Sequence, residues 1–412
     1  MMFWPQDTIP FLWGVATSSH QVEGGTDNDW TEWENSAHVA EKSADSSLHY
    51  HKYPEDFQLF SRIGVNAYRY SLEWSRIEPE PGQFSQQALD HYRAMTQSLL
   101  DHHIEPLITL HHFTLPKWFA KQGGFFHPEA SRLFERYVKK VMDAVGDLVR
   151  FYVTINEPMV YAAMSYGMGQ WPPGHKNLKE FWQIGSKLLS CHQKAYHRIK
   201  SHRPDAMVGI ANHLLAFSPY DNRSRLDRFN ARIVNYLFNE RFIQQARNTT
   251  DFIGVNYYSQ QYTDHRHFWT PVVHKPNATP LTDMGWEIHP ERLEELLLAL
   301  KHFDKPLIIT ENGIATNDDI LRQQFILDHL AAVSRAQNQG AIVRGYFYWS
   351  ALDNFEWADG YRPRFGLIGV DYKTQERTLR DSAYLYRRII DANQGQWPIN
   401  VPPKPGQPAS AL

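Results

Sequence analysis

The strongest constraint on the fold is a regular alternation of apolar runs and amphipathic stretches along the whole chain. Eight short runs of apolar, β-branched or aromatic residues predict strands. They span residues 11–19, 67–74, 105–112, 151–157, 206–213, 251–258, 306–311 and 343–350. Their interiors are continuously apolar, which is typical of parallel strands in a sheet that helices cover.

Between these runs, apolar residues recur at helical spacing. The stretches that predict helices span residues 55–63, 85–102, 131–148, 181–203, 228–247, 290–302 and 318–337. Eight strand–helix alternations without a break predict a single (β/α)8 TIM barrel. A doubly wound sheet is the alternative, but no Gly-x-Gly-x-x-Gly motif follows any predicted strand.

The chain of 412 residues is long enough for two or three average domains, yet it contains no Gly/Ser linker. We therefore expect one barrel domain over residues 1–397. Residues 398–412 are rich in Pro and small residues and predict a frayed C-terminal tail.

Composition excludes several classes of partner. The formal net charge of -3 gives no basic excess for binding nucleic acid. No apolar run approaches the roughly 20 residues that span a membrane. Cys191 is the only cysteine, and the N-terminus lacks a basic stretch followed by an apolar core, so we expect a cytoplasmic protein. The scattered histidines show no metal-ligand spacing, so we expect neither a metal nor a cofactor. The oligomeric state is left open.

Two Asn-Glu pairs follow predicted strands. Asn156-Glu157 closes the fourth apolar run, and Glu311-Asn312 closes the seventh. Barrel enzymes place catalytic groups at the carboxyl ends of their strands. Two carboxylates at that rim can divide the cleavage of a glycosidic bond between an acid and a nucleophile.

Other strand ends also carry polar or aromatic side chains. These are His20-Gln21 on the first, Arg69 on the second, His111-His112 on the third, Asn256-Tyr257-Tyr258 on the sixth and Trp349 on the eighth. Side chains of these types suit the binding of hydroxyl groups or the support of a carboxylate. The fifth strand is the one whose end is assigned no such group.

Together these segments resemble glycoside hydrolase family 1, the retaining β-glycosidases. The resemblance rests on motifs in the family's order: residues 11–18, 20–24, 68–71, 74–76, 109–116, 154–158, 254–258, 284–287, 309–313 and 348–357. Each motif alone is weak, but all of them in register over residues 11 to about 390 are highly specific. The resemblance supports the barrel and implies a glycosidase.

The family's catalytic residues can be placed on this sequence motif by motif. The resemblance implies that Glu157 is the general acid/base and Glu311 the nucleophile. It also implies that Arg69 and Tyr258 keep the nucleophile ionised. We expect the acid to lie away from strong cations or close to the other carboxylate, and the nucleophile to lie beside a cation and hydrogen-bond donors.

The resemblance further implies a set of residues that bind the sugar. They are Gln21, His112, Asn156, Asn256, Trp286, Trp349, Glu356 and Trp357. Trp349 is expected beneath the sugar ring, and Trp286 on the leaving-group side. Glu356 would repel a 6-phosphate, which favours non-phosphorylated substrates.

The leading hypothesis is a hydrolase that releases terminal β-D-glucosyl units, with β-D-galactosyl and fucosyl units as alternatives. Its partners would be small-molecule β-glycosides or short oligosaccharides. A transglycosylase would share every catalytic residue. A catalytically silent sugar-binding module is a third reading, but such a module is expected to lack one catalytic carboxylate, and both are present here.

Overall fold

Eight parallel strands close into a barrel in the computed structural model, which describes residues 9–267 and 280–401. The barrel strands are β1 (Leu12–Ala16), β2 (Ala67–Ser71), β3 (Glu105–Thr109), β4 (Phe151–Asn156), β5 (Met207–His213), β6 (Phe252–Tyr257), β7 (Leu307–Asn312) and β8 (Val343–Trp349). Strand β8 pairs with β1 and closes the ring. The predicted (β/α)8 barrel is confirmed, and the doubly wound alternative is wrong because its open sheet would leave two edges unpaired.

One long helix follows each strand. These helices are α1 (His49–Ile63), α2 (Gln86–Asp101), α3 (Ala130–Val145), α4 (Leu178–His202), α5 (Arg225–Asn235), α6 (Pro290–Ala299), α7 (Asp319–Asn338) and α8 (Asp381–Ala392). Shorter α-helices are Ser19–Val22, Asp29–Trp33, Trp74–Ile77, Lys117–Lys121, Pro158–Ala162 and Arg241–Ala246. Single 3₁₀ turns are Gly124–Phe126, Arg247–Thr249, His265–His267, Leu300–Phe303 and Trp357–Asp359, and π-helical turns are Ala163–Gly167 and Tyr236–Glu240.

Several element boundaries differ from the sequence prediction. The first strand ends at Ala16, because the chain turns there into the helix Ser19–Val22. Helix α1 begins at His49, six residues before the predicted start, and contains Pro54. The predicted helix at residues 228–247 is interrupted by a π-helical turn.

Helix α8 and two small sheets were not predicted. One sheet pairs Ala216–Pro219 with Gln260–Thr263, and the other pairs Ile368–Val370 with Arg377–Leu379. Strands of three or four residues carry too little periodicity to be recognised in a sequence. All four of these strands lie in segments that follow a barrel strand.

Apolar side chains form two layers. Leu12, Leu107, Phe151 and Phe347 belong to a buried cluster that fills the barrel. Their strand neighbours, such as Ile108, belong to a larger cluster that includes the helix residues. The strands are buried on both faces, which explains why their sequences are continuously apolar.

The C-terminal part of the chain packs against helix α7 as far as it is described. Ile399 and Val401 are buried, and the Ile399 amide donates to Gln337 Oε1 at 2.9 Å. The tail proposed from residue 398 therefore begins with a packed stretch, while residues 402–412 lie outside the described residues. Within residues 9–267 and 280–401, no helix is both long and apolar enough to cross a membrane.

Gly313 lies where the loop after β7 approaches the end of β8 most closely. A Cβ atom at Gly313 would lie 1.6 Å from the Trp349 carbonyl oxygen, so Gly313→Ala must displace the backbone. We expect a loss of about 1–3 kcal/mol in the free energy of unfolding, measured by urea denaturation. Gly185→Ala is the control, because its Cβ would contact only Met159 Sδ at 3.5 Å inside α4. If both variants were equally stable, the close approach at Gly313 would not constrain this loop.

Candidate active site

A cavity of about 420 Å³ opens at the carboxyl ends of the barrel strands. Its lining includes every site residue expected from the sequence except Arg69 and Asn256. A second cleft, of about 680 Å³, is formed by the loops after β1, β3 and β4 and contains neither Glu157 nor Glu311. The smaller cavity is the candidate active site because it brings the two glutamates together.

Glu157 follows β4 directly and is held in an unusual backbone conformation. Between Val153 and Asn156, β4 advances three residues while β5 advances two, so β4 contains one extra residue before the glutamate. Glu157 itself has φ 44° and ψ 60°, a left-handed conformation that non-glycine residues adopt at a cost. Pro158 then begins a short helix. Bulges and strained residues of this kind aim functional side chains at active sites.

Glu311 is the fifth residue of β7 and is held at both carboxylate oxygens. Arg69 Nη1 lies 2.5 Å from Oε1, and the Tyr258 hydroxyl donates to Oε2 at 2.6 Å. Strand β7 also contains one extra residue. Ile309 pairs with Val255 of β6 and Glu311 with Asn256, so β7 advances two residues where β6 advances one. The glutamate is thereby fixed between a cation and a phenol.

Arg69 is fully buried and reaches three neighbouring parts of the barrel. Its Nε donates to Thr109 Oγ1 on β3 at 3.0 Å, and its Nη2 donates to Asn156 Oδ1 on β4 at 2.6 Å. Its Nη1 donates to the Thr310 carbonyl as well as to Glu311. The expected partnership of Arg69 and Glu311 is thus present as a direct ion pair.

Asn256 lies behind the carboxylates rather than on the cavity wall, and it is completely buried. Its Nδ2 donates to Glu157 Oε1 at 2.8 Å and to Asn156 Oδ1 at 3.1 Å. Its Oδ1 accepts a hydrogen bond from Thr310 Oγ1 at 2.6 Å. Asn256 thus contacts Glu157 directly, and its expected role in binding the sugar stays a prediction.

The two carboxyl groups have shifted pKa values. Burial raises the pKa of Glu157, but the His213 imidazole and the Asn256 amide outweigh burial and hold this pKa below its ordinary value. Burial raises the pKa of Glu311 to about 7 despite Arg69, and the charge of Glu157 adds to the rise. The two carboxyl groups interact, so their titrations belong to the pair rather than to either residue. The expectation that the acid lies away from cations did not include His213.

The polar residues expected at the sugar lie on one side of the cavity. Gln21 Nε2 donates to Glu356 Oε2 at 3.2 Å and to the Phe355 carbonyl at 2.9 Å. Burial raises the pKa of Glu356 well above its ordinary value, and Asp359 and Glu311 add to the rise through repulsion. This carboxyl can therefore donate as well as accept hydrogen bonds.

Two of the expected aromatic residues, Trp349 and Trp357, lie beside His112. Its ring is nearly parallel to Trp349 and to Trp357, at interplanar angles of 13° and 11° and centroid distances of 5.9 and 6.1 Å. Burial and Arg69 hold the pKa of His112 well below its ordinary value, so its imidazole is neutral. Trp286 lies across the cavity, 5.5 Å from the Tyr258 ring.

Some residues of the cavity were not expected from the sequence. The most consequential is His213, whose Nδ1 lies 3.0 Å from Glu157 Oε1. Its position as the last residue of a predicted strand was a usable signal. The apolar lining residues had no sequence signal that separates them from core residues; they are Val160, Met164, Trp171, Met284 and Phe365.

A possible cation-binding group lies outside the cavity lining. Asp227, Asp264 and His265 could together offer three ligand atoms to a metal ion. Both carboxylates already accept hydrogen bonds, Asp227 from His265 and Asp264 from Arg266. The absence of a metal in the active protein stays a prediction.

Known proteins resemble this chain in sequence and structure. It matches the model for glycosyl hydrolase family 1 over residues 4–246 and 229–395. It is 31% identical to beta-glucosidase A of Acetivibrio thermocellus, over 93% of this chain and 98% of that protein.

Two solved structures are similar over nearly the whole chain. One is a beta-glycosidase from Pyrococcus horikoshii, with a TM-score of 0.88 and 38% identity over 94% of this chain and 95% of that one. The other is a beta-glucosidase from Thermotoga maritima in complex with glucoimidazole, with a TM-score of 0.87 and 30% identity over 93% and 98% of the two chains. The chain belongs to glycosyl hydrolase family 1 and is a glycoside hydrolase.

Proposed function

We propose that the enzyme releases terminal, non-phosphorylated β-D-glucosyl units from small β-glycosides or short oligosaccharides, with net retention of configuration. Two of the similar proteins, from Acetivibrio thermocellus and Thermotoga maritima, are named as β-glucosidases, which supports the glucosyl preference. Gln21 and Glu356 can hold either configuration at C4, so β-D-galactosyl and fucosyl units are the alternatives. A panel of chromogenic β-glycosides measures the order of preference.

The observation that carries this proposal is that the two carboxyl groups differ in how their oxygens are hydrogen-bonded. Both oxygens of Glu311 are occupied, one by a guanidinium and one by a phenol. On Glu157, all hydrogen bonds within the described residues reach Oε1, which leaves Oε2 for the cavity. A carboxylate fixed beside a cation suits a nucleophile, whereas one free oxygen suits proton transfer.

The two roles give a double displacement. Glu311 attacks the anomeric carbon, a bond forms between its carboxylate oxygen and that carbon, and the bond to the leaving group breaks. Glu157 transfers its proton to the departing oxygen. Glu157, now ionised, then takes a proton from water, and this water releases the sugar from Glu311.

The first step requires a proton on Glu157, although His213 and Asn256 hold the pKa of its carboxyl below the ordinary value. His213, whose Nδ1 lies 3.0 Å from Glu157 Oε1, is the titrating neighbour in contact with this carboxyl. Coupled groups of this kind share protons, and each titration belongs to the set rather than to one residue.

The sugar side of the cavity suits a neutral substrate. Asn156 Oδ1 is occupied by Arg69, so its Nδ2, 3.3 Å from His112 Nε2, retains one hydrogen for a sugar hydroxyl. Four carboxyl groups line the cavity, and its described lining includes no Lys or Arg. A phosphate on the sugar would meet Glu356 and Asp359 without a compensating cation.

The leaving-group side is largely apolar, with Met164, Met284, Trp286 and Phe365 in the lining. Such a wall suits an aryl or alkyl aglycone as well as a second sugar ring. No described cavity residue favours transglycosylation over hydrolysis. A silent sugar-binding module is disfavoured because both carboxylates face the cavity.

We also propose that the enzyme works in a reducing compartment such as the cytoplasm. Its one cysteine, Cys191, is buried in α4, and burial raises the pKa of its thiol to about 12. Such a thiol is protonated and has no role in the proposed chemistry.

A retaining mechanism determines which anomer appears first. The carboxyl groups of Glu157 and Glu311 are then expected to lie roughly 5–5.5 Å apart, a spacing that suits a covalent intermediate. Proton NMR of an early reaction mixture should show the β-anomer of the released sugar before mutarotation. If the α-anomer appeared first, the double displacement would have to be abandoned.

Glu311→Ala removes the nucleophile, so no covalent intermediate can form. We expect turnover to fall at least about 10⁴-fold for every leaving group. Added azide should restore reaction by direct attack and give the inverted glycosyl azide, identified by NMR. Glu376→Ala, which removes an exposed carboxylate, is the control and should match the wild type.

Glu157→Ala removes the acid but keeps the nucleophile. Hydrolysis of an alkyl glucoside should fall about 10²–10⁴-fold, while a dinitrophenyl glucoside, whose leaving group needs little protonation, should still glycosylate the enzyme. Azide should then give the glycosyl azide with retained configuration. If Glu311→Ala rather than Glu157→Ala spared the dinitrophenyl substrate, the two roles would be exchanged.

A further inference from the structure

His213 gives the fifth strand a functional group at the barrel rim. It is the last residue of β5, lines the cavity, and has a side chain that is 17% exposed. Its Nδ1 lies 3.0 Å from Glu157 Oε1. The imidazole therefore contacts the carboxyl group to which we assign proton transfer.

The contact leaves a single oxygen of Glu157 free. Oε1 is also bonded by Asn256 Nδ2 at 2.8 Å, and the Asn256 amide is oriented by Thr310 Oγ1 on its other side. Two partners thus hold the carboxyl at Oε1, and within the described residues Oε2 accepts no hydrogen bond. A proton that is to reach a glycosidic oxygen is thereby confined to Oε2.

The ring of His213 is itself oriented by the nucleophile's partner. It stacks on Tyr258 with a centroid distance of 5.9 Å and an interplanar angle of 20°. The Tyr258 hydroxyl in turn donates to Glu311 Oε2. His213 thus contacts Glu157 directly and also contacts Tyr258, the partner of Glu311.

We propose that His213 is a positioning residue for the acid/base, which holds Glu157 Oε1 through Nδ1 and couples its own titration to that of the carboxyl. This inference rests on the proposed function, because it assumes that Glu157 is the acid/base. In glycosylation the proton leaves Glu157 Oε2 for the departing oxygen. In deglycosylation Oε2 takes a proton from water, so the pair ends with the protons it began with.

The charges around the pair determine its pH dependence. Burial lowers the pKa of His213, but the negative charges of Glu157 and Glu311 outweigh burial and raise it above its ordinary value. Glu157 is faced by His213 and, farther away, by Arg69. The last proton of the pair is therefore lost above the ordinary histidine pKa, and this loss determines the alkaline limb of kcat/KM for substrates that need the acid.

Two substitutions separate the hydrogen bond from the titration. In His213→Asn the amide Nδ2 takes the place of the imidazole Nδ1, so the donor remains and the titrating ring is lost. In His213→Leu the side chain keeps a similar size, but both the hydrogen-bond donor and the titrating ring are lost. His175→Asn is the matched control, because His175 also pairs with a glutamate, Glu180 at 2.6 Å, but lies outside the cavity lining.

The test is the pH profile of kcat/KM for an alkyl glucoside and a dinitrophenyl glucoside. With the alkyl substrate, His213→Asn should move the alkaline limb to lower pH by about half a unit or more, because the last proton is then held by Glu157 alone. His213→Leu should also lower kcat/KM at the optimum about 10–100-fold, since a donor to a charged group is lost. With the dinitrophenyl substrate, both variants and His175→Asn should match the wild type.

Two results would overturn the proposal. In the first, the pH profile of His213→Asn superimposes on that of the wild type, and His213→Leu retains the wild-type kcat/KM for the alkyl glucoside. The second is an equal loss for both leaving groups, which would make His213 merely structural. Glu157→Ala, assayed in parallel, distinguishes a failure of this inference from a failure of the proposed function. If its kcat/KM fell equally for both substrates, the assignment of Glu157 as acid/base would be wrong, whatever the His213 variants showed.

Discussion

The buried guanidinium of Arg69 is the interaction on which the site depends. It is completely removed from solvent, and its side chain donates hydrogen bonds to residues of three other barrel strands. A buried charge is tolerated only when it is paired and hydrogen-bonded, and removing its partner is costly. Because Thr109, Asn156 and Glu311 all converge on this one group, the rims of β3, β4 and β7 are tied together. The catalytic geometry and the stability of the rim are therefore parts of one network.

The proposed division of roles between the two glutamates rests on their surroundings, because their side chains are chemically identical. Glu157 follows β4 and Glu311 lies near the end of β7, and each of these strands contains one extra residue just before the glutamate. At Glu311 the bulge leaves the Thr310 carbonyl to accept from Arg69. At Glu157 a left-handed backbone conformation completes the turn into the next helix. The strain at Glu157 is consistent with selection for placement of its carboxyl rather than for local stability.

Charge and shape divide the cavity into two halves. One half contains Glu157, Glu311, Glu356 and Asp359, and burial, together with repulsion from the neighbouring carboxylates, raises the pKa of Glu356. A neutral hydroxyl group can hydrogen-bond to these carboxyl groups, and its binding does not carry the free-energy cost of burying another charge. The other half is lined by methionine and aromatic side chains, whose flexible or flat surfaces adapt to different leaving groups.

The sequence by itself determined the barrel, because strand and helix periods are local properties that each segment carries alone. It also placed Glu157 and Glu311 at strand ends, and matching motifs in order identified the family. Only the tertiary structure decided that Asn256 lies behind the carboxylates, that Oε2 of Glu157 is free and that His213 bonds its other oxygen. Arg69 and Glu311 are 242 residues apart, so no local spacing could describe their contact. The two bulges decide the directions of the side chains, because a shift of one residue in register turns a side chain to the opposite face of a strand.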